Sequence, residues 1–381
     1  MFSKINKNNY NPLVNAYKNN DIEKFRKLIK KGYSVDSIYG KHKSVNIFGN
    51  DHTNYYLEYS LIAAIIRNKK SFTNNKEFLN SMFSEDVYLG NFAQDPALLP
   101  LATRHSDIDC MKQLLDRGLC INESSLSINP AIFEAILSND MEKIDFLLAH
   151  NPDLKITGSP SDTPILNYLF TNYYSSSLYS EISHYEIFDK LIKKGADPKQ
   201  KDHFGMSYIH TWSLTIRNSN NELKKLFDYA IKKGCDVNEK CNCNRTPLIY
   251  AAKTGNLPAI EILVKNNAKI SDRELNGMSA IHYAALENRY DIVEFLKENG
   301  AETSGVDVSG HNICHTAALY EKNFDFMLSF FEKYSYLMSN KDKYGKSPVD
   351  IFLKNNKLSS VQLKQLKQFQ SKQKNNIGYI L

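Results

Sequence analysis

A seven-residue pattern recurs three times near the end of this 381-residue chain, at intervals of 33 residues. The copies occupy residues 246–252, 279–285 and 312–318 and read Thr-Pro-Leu-Ile-Tyr-Ala-Ala, Ser-Ala-Ile-His-Tyr-Ala-Ala and Asn-Ile-Cys-His-Thr-Ala-Ala. A unit this short cannot bury its own apolar face, so it has to stack on its neighbours. The chain is therefore expected to form a solenoid, which is mainly a surface for holding another molecule.

Each unit is interpreted as a pair of antiparallel helices. Thr246 is a good N-cap, and Pro247 suits the first helical position, where its missing N–H costs nothing. The two alanines that end the pattern let a second helix approach closely, and apolar residues at helical spacing from Ile260 onward form that helix's buried stripe. A left-handed residue then ends the second helix, as at Asn267 and Gly300.

These motifs resemble ankyrin repeats, whose pattern reads D-x-x-G-x-T-P-L-H-x-A-A, then a second helix, then G-A-D-x-N. Residues 193–198, 232–238 and 299–302 match the closing half. Tetratricopeptide repeats have a similar period of about 34 residues but would lack the Thr-Pro opening and the Gly-Ala-Asp closing. The resemblance implies an all-α solenoid of helix-turn-helix units joined by short finger hairpins.

The weaker copies are tested by the distance from the opening to the closing position, which is 21 residues in most units. Two units run long, by 11 residues from Thr163 to Gly195 and by 6 from Ser207 to Gly234, and the spacing of successive openings grows by the same amounts. About ten units result, with insertions at 37–58 and 171–183. They open near Asn11, Tyr59, Ala97, Pro130, Thr163, Ser207, Thr246, Ser279, Asn312 and Ser347.

Three regions follow from this count. Residues 1–200 contain degenerate repeats with the two insertions, residues 201–358 contain well-matched repeats, and residues 359–381 form a capping helix and a basic tail. Val361, Leu366 and Phe369 lie at helical spacing and are predicted to cover the end of the stack. Six lysines and no acid occur from residue 351 onward, so the tail carries the whole net charge of +6.

Composition excludes several classes of protein. The chain is 42% hydrophobic and 24% charged, and its longest aliphatic run, residues 61–66, is far too short for a membrane span. The first thirteen residues lack the apolar region of a conventional secretory signal. Six sparse cysteines favour a reduced compartment, so we expect a cytoplasmic protein. The neutral body argues against a broad nucleic-acid-binding face.

Residues that could carry chemistry have structural interpretations instead. The resemblance implies that His210, His282 and His315 bond to backbone in the connecting loops. Cys241 and Cys243 are too close in sequence for the usual zinc spacing, and Cys235 stands where a small buried side chain is expected, so these are interpreted as structural thiols. No phosphate loop, zinc-protease or serine-hydrolase motif occurs, so we predict neither enzymatic activity nor a cofactor or metal.

The resemblance also indicates where a partner protein would bind, since ankyrin arrays hold partners in a concave groove lined by fingers and inner helices. Several finger residues are apolar or aromatic and are flanked by cations, which is typical of a binding hot spot. Trp212 is expected in the core instead. The predicted partner-binding residues are Phe204, Met206, Arg245, Tyr250, Leu275, Met278, Tyr283, His311, Tyr344 and Lys346.

The leading hypothesis is a non-enzymatic scaffold that binds another protein. A second is an effector that an intracellular bacterium delivers into a host cell, because the Lys-, Asn-, Tyr- and Ile-rich composition is typical of AT-rich genomes and the tail ending Gly378–Leu381 resembles a non-classical C-terminal secretion signal. A third is an enzyme hidden in the N-terminal half, for which the gaps between repeats are too short.

Overall fold

The fold is described from a computed structural model, which covers residues 12–31, 38–43, 56–60, 65–66, 77–81, 97–124, 128–158, 162–171, 184–215, 221–321 and 323–377. The chain divides into two compact units, Met1–Pro160 and Ser161–Leu381. The three regions proposed from the sequence stay predictions. In the part of the chain that the structure describes, no helix combines the length and apolarity that crossing a membrane needs.

The first unit contains pairs of short helices. The Phe78 ring, in the helical residues 77–81, packs edge-on against the rings of Tyr17 and Phe25. Residues 77–81 therefore pack on the first helix pair. The helices are α1 (Pro12–Lys18), α2 (Ile22–Lys30), α3 (Leu98–His105), α4 (Ile108–Asp116), α5 (Ala131–Leu137) and α6 (Met141–Ala149), and a two-residue strand lies at Thr157–Gly158.

The segment 37–58, predicted as a loop, contributes strands instead. Ile38–Lys43 (β1) pairs antiparallel with Tyr56–Ser60 (β2), with an irregularity between Ile38 and Gly40. The cross-strand partners include Lys41 opposite Glu58. The all-α prediction was wrong here, and Tyr59, predicted to open a repeat, lies in β2. The number of repeats stays a prediction, because residues 61–64 and 67–76 lie outside the described ranges.

The second unit is a row of helix pairs that follows a two-residue strand at Thr163–Pro164. The first helices of successive pairs pack on one another along the row. Within a pair, the first helix also packs on the second helix, as α11 does on α12. The helices are α7 (Ile165–Thr171), α8 (His184–Lys193), α9 (Tyr208–Thr215), α10 (Asn221–Lys232), α11 (Pro247–Thr254), α12 (Leu257–Lys265), α13 (Ala280–Leu286), α14 (Tyr290–Glu298), α15 (Ile313–Ala318), α16 (Phe324–Lys333), α17 (Pro348–Asn355) and α18 (Ser360–Ile377), with a 3₁₀ turn at Ser335–Leu337.

The sequence signals that predicted these pairs act as expected. The Thr246 side chain accepts a hydrogen bond from the Ile249 N–H, and Pro247 is the first residue of α11. The paired alanines at 251–252, 284–285 and 317–318 are all fully buried, which places small side chains where neighbouring helices approach. Trp212 is fully buried too, against Phe227 at 4.3 Å between ring centroids, so its prediction as a core residue is confirmed.

The pair α15–α16 ends at Tyr334 with φ −108°, but six other closing positions adopt a positive φ. These residues are Gly118, Asn151, Gly195, Gly234, Asn267 and Gly300. Glycine and asparagine are the residues that tolerate this left-handed conformation at a helix C-terminus. These six closing positions, including those of the two long units, are therefore where the spacing argument predicts them.

Helix α18 covers the last pairs of the row. Leu366 and Phe369 are buried, and the Phe369 ring stacks on Phe331 at 6.5 Å between centroids. Val361, predicted on the same buried face, is 65% exposed because it lies in the first turn, ahead of the contact. The insertion 171–183, apart from Thr171 in α7, and the proposed signal at 378–381 lie outside the described residues.

Candidate functional site

Five tight turns, called the fingers here, precede the first helices α9, α11, α13, α15 and α17. They span residues 202–206, 241–245, 274–278, 307–311 and 342–346. In each, the N–H of the first residue donates to the carbonyl of the last, at 2.8–3.1 Å. The fourth residue has a positive φ in every finger and is glycine in four of them.

An acidic side chain holds most of the fingers closed. Oδ1 of Asp307 accepts from the N–H groups of Ser309 and His311, both at 2.8 Å. Asp202 and Asp342 make the corresponding pairs of bonds in their fingers at 2.7–2.9 Å. A short acidic side chain that satisfies two backbone donors fixes the loop without help from the helices.

Adjacent fingers are also joined backbone to backbone, in what we call the finger seam. The N–H of the second residue of one finger donates to the carbonyl of the third residue of the preceding finger. The four bonds run from Asn242 to Phe204 (3.0 Å), from Leu275 to Cys243 (3.3 Å), from Val308 to Asn276 (2.9 Å) and from Lys343 to Ser309 (2.9 Å). The finger tips are therefore held in fixed register with one another.

Large apolar side chains project from four of the five fingers into solvent. Phe204 is 55% exposed, Leu275 66%, Val308 50% and Tyr344 78%. Met206 and Met278, at the last position of their fingers, are half-buried. Val308 was absent from the predicted partner-binding set, although it occupies the same finger position as Leu275. Its equivalence to Leu275 within the repeat is the sequence signal that would have identified Val308.

Two aromatic rings and a carboxylate hold the Arg245 side chain in place on this surface. Its guanidinium carbon lies 6.0 Å from the Tyr250 ring centroid and 5.4 Å from that of Tyr283. Nη2 lies 3.6 Å from Oε2 of the buried Glu274. Tyr250 and Tyr283 are themselves buried, so they position Arg245 instead of facing solvent.

His311 connects two fingers by charge. Nδ1 lies 3.5 Å from the Asp307 carboxylate and Nε2 lies 3.4 Å from that of Asp342, while the ring stacks on His315 at 5.6 Å between centroids. Hydrogen bonding to Asp307 raises the pKa of His311, despite the opposing effect of burial. Lys346, in the next finger, is exposed.

The histidines of the opening motif are structural, as predicted. His210 Nδ1 accepts from the Ser207 N–H at 3.2 Å, so Nε2 carries the proton that it donates to the Arg245 carbonyl at 3.1 Å. His282 and His315 reach the carbonyls of Gly305 and Lys346 in the same way. Burial lowers the pKa of His210 to about 4, which keeps the ring neutral.

The clustered cysteines do not act alike. Cys235 is buried, with Sγ 3.5 Å from the Pro198 carbonyl, and burial raises its pKa to about 12, which fits the predicted structural thiol. Cys241 and Cys243 instead lie in one finger with their sulfurs in contact. Among the residues that the structure describes, no three His, Cys, Asp or Glu side chains gather closely enough to hold a metal ion.

Comparison with known proteins identifies the repeats. A family model described as ankyrin repeats matches over residues 177–273 and 214–307. The chain is similar to the palmitoyltransferase AKR1 of Lachancea kluyveri, with 23% identity over 196 residues, covering 50% of this chain and 25% of that protein. It is 25% identical over 179 residues to the human transient receptor potential cation channel subfamily A member 1, covering 46% of this chain and 15% of the channel.

A third relative is a Rickettsia felis protein named as an ankyrin repeat protein. It is 25% identical over 144 residues, which is 38% of this chain and 42% of the relative. The chain thus spans less than half the length of each of these three relatives.

Proposed function

We propose that this chain, which matches a family model of ankyrin repeats over residues 177–307, is a non-enzymatic scaffold that binds a partner protein on the concave side of the array. The contact surface is formed by the fingers from residue 202 to residue 346. Repeats of this family generally act in protein–protein interaction, and the proposed role requires no reaction step.

The observation that carries the proposal is the set of exposed apolar side chains on four of the five fingers. Phe204, Leu275, Val308 and Tyr344 are each at least half exposed, although water favours polar residues at such positions. The finger seam fixes their register, so little conformational entropy is lost when a partner docks. Aromatic and aliphatic anchors on a rigid backbone are the usual centre of a binding hot spot.

The cations of the surface set its polarity. Arg245, held on two aromatic rings, and the exposed Lys346 flank the exposed apolar side chains. A partner segment with apolar side chains and nearby carboxylates matches this arrangement, because complementary charge steers encounter and fixes register. His311, Met206 and Met278, half-buried beside the tips, belong to the same proposed contact.

The test is a pull-down with the intact chain, read by quantitative mass spectrometry. Leu275→Ser combined with Tyr344→Ser removes two exposed anchors without opening the core. We expect at least roughly tenfold lower retention of the bound protein, since hot-spot truncations cost about 2 kcal/mol or more each.

Val361→Ser is the matched control, because Val361 on α18 is 65% exposed and Leu275 is 66% exposed. It removes comparable apolar surface away from the fingers, and we expect it to retain the partner at the wild-type level. Equal loss in the finger and control variants would contradict the assignment, as would a finger variant with reduced helical circular dichroism.

A further inference from the structure

The finger at residues 241–245 departs from the rule that the other four follow. Its first residue is Cys241, where the others have Asp202, Glu274, Asp307 and Asp342. Each of those carboxylates accepts at least one hydrogen bond from an N–H of its own finger. A thiol is a poor acceptor, so Cys241 cannot substitute for that function. The finger keeps its backbone closure, with the Cys241 N–H 3.1 Å from the Arg245 carbonyl.

Where the other four fingers have a carboxylate, the finger at residues 241–245 has a pair of thiols in contact. Sγ of Cys241 lies 3.0 Å from Sγ of Cys243, two residues along the same finger. Both sulfurs also approach the Tyr250 hydroxyl, at 3.6 and 3.7 Å. A disulfide needs about 2.05 Å between its sulfurs, so closing the pair requires a movement of about 1 Å.

The two thiols differ in access and environment. Cys241 is buried, whereas Cys243 is partly exposed at the finger tip. Burial opposes ionisation of Cys243, but hydrogen bonds from Cys241 and Tyr250 and the positive charge of Arg245 outweigh it and lower its pKa. By contrast, burial alone raises the pKa of the Cys314 thiol, in the core of the next repeats. An accessible thiol whose anion is stabilised, next to a second thiol, has the arrangement of an attacking and a resolving cysteine.

We propose that Cys241 and Cys243 form a reversible thiol–disulfide exchange site on the finger surface, with small-molecule disulfides as the oxidising substrate class. The Cys243 thiolate attacks one sulfur of the small disulfide, whose S–S bond breaks and releases one thiolate. The Cys241 thiol then gives its proton to solvent and attacks Cys243 Sγ, which releases the second small thiolate. Two electrons pass from the protein thiols to the small disulfide, and two small thiols reverse the reaction.

Nearness in sequence makes the site labile. A disulfide between residues two apart closes a very small ring, and strained, exposed disulfides are the ones that small thiols reduce readily. The exchange goes beyond the proposed scaffold role and does not depend on the identity of a partner.

The experiment treats the full chain with oxidised glutathione, quenches with an alkylating reagent and digests with trypsin. Cleavage after Lys240 and Arg245 isolates residues 241–245 as one peptide that holds both thiols. We expect this peptide to lose two hydrogens without gaining glutathione, and to recover both when reduced glutathione is added. In a time course, Cys243 should react at least roughly tenfold faster than Cys235, whose thiolate is far scarcer.

Two variants separate the roles. Cys241→Ser removes the resolving thiol, so glutathione should remain attached to Cys243. Cys235→Ser is the matched control and should leave the internal disulfide unchanged. Unmodified residues 241–245, a lasting glutathione adduct in the wild-type chain, or pairing of either cysteine with one elsewhere would each overturn the proposal. The wild-type result alone decides this even if a variant folds poorly.

Discussion

At the scale of single residues, His311 links two fingers through a charge that can be switched off. Its ring lies between the carboxylates of Asp307 and Asp342, and stacks on the neutral ring of His315. Burial raises the pKa of each aspartate, but the bonds from His311 and from backbone N–H groups outweigh burial and lower it. The folded state therefore favours a protonated His311 between two ionised carboxylates.

We predict a pH-dependent contribution of His311 to folding. Because its folded pKa is raised above the ordinary value of 6.5, the contribution is fully present below pH 6.5 and disappears as pH rises through the folded pKa. The carboxylates add a lower limit, since their contribution is present above the ordinary value of 3.8 and lost as pH falls through their lowered pKa.

His311→Gln should therefore lower the free energy of unfolding by about 1–2 kcal/mol between those limits, and by less at pH 8. Chemical denaturation of the wild-type chain and the variant from pH 5 to 8, in steps of about half a pH unit, measures the difference in their free energies of unfolding. A difference that stays constant over this range would show that the charge plays no part.

At the scale of the element, the finger seam makes substitution at one left-handed glycine more costly than at another. Gly277, in a finger, has φ +77°, and a Cβ there would lie 3.1 Å from the Val308 N and 3.3 Å from the Asp307 Cα. Gly300, at a helix end, has φ +97° and nothing within 4 Å of its Cβ position. Both alanine variants are strained by the left-handed backbone, and Gly277→Ala also meets the next finger.

We expect Gly300→Ala to cost about 1 kcal/mol, the usual cost of an L-residue in this conformation. Gly277→Ala should cost roughly 2–3 kcal/mol, because the seam must shift to admit the methyl group. Thermal melting of the two variants beside the wild-type chain provides the comparison. Equal destabilisation would mean that the seam yields without resistance.

The sequence pattern predicted the helix caps and closing residues of the repeats, but it did not predict contacts that depend on the path of one finger or on the next repeat. The Thr246 cap, the buried alanines and the left-handed closing residues depend on neighbours in sequence, which a repeat pattern reveals. The thiol contact between Cys241 and Cys243 depends on how one finger turns, and the depth of Tyr250 depends on the adjoining repeat. The strands at residues 38–43 and 56–60 could not be predicted from the repeat pattern, because their pairing is non-local and a helical repeat reports only local spacing.

At the scale of the whole molecule, the stability of a repeat array is carried by contacts between neighbours. Helix α18 buries Phe369 against Phe331 and ends the row of pairs in the second unit. Loss of that contact should be felt locally, near the end of the array, and should fade toward earlier pairs.

Phe369→Ala is therefore expected to destabilise the last pairs by about 3 kcal/mol, the usual cost of emptying a buried aromatic site. Hydrogen exchange read by mass spectrometry should show lost protection in α16 and α17, with α9 and α10 unchanged. Val361→Ala, at an exposed site of the same helix, serves as the control. Loss of protection spread evenly from α9 to α17 would contradict nearest-neighbour stability.

The bonds between adjacent finger tips also bear on how such a surface can change over evolutionary time. The backbone donors and acceptors of the tips bond to one another, so the side chains of Phe204, Leu275 and Tyr344 contribute little to holding the turns together. Natural selection can therefore exchange them one at a time, altering the proposed contact surface while the architecture persists. Proteins built this way can therefore come to bind different ligands without a change of fold, through substitutions at a few exposed positions.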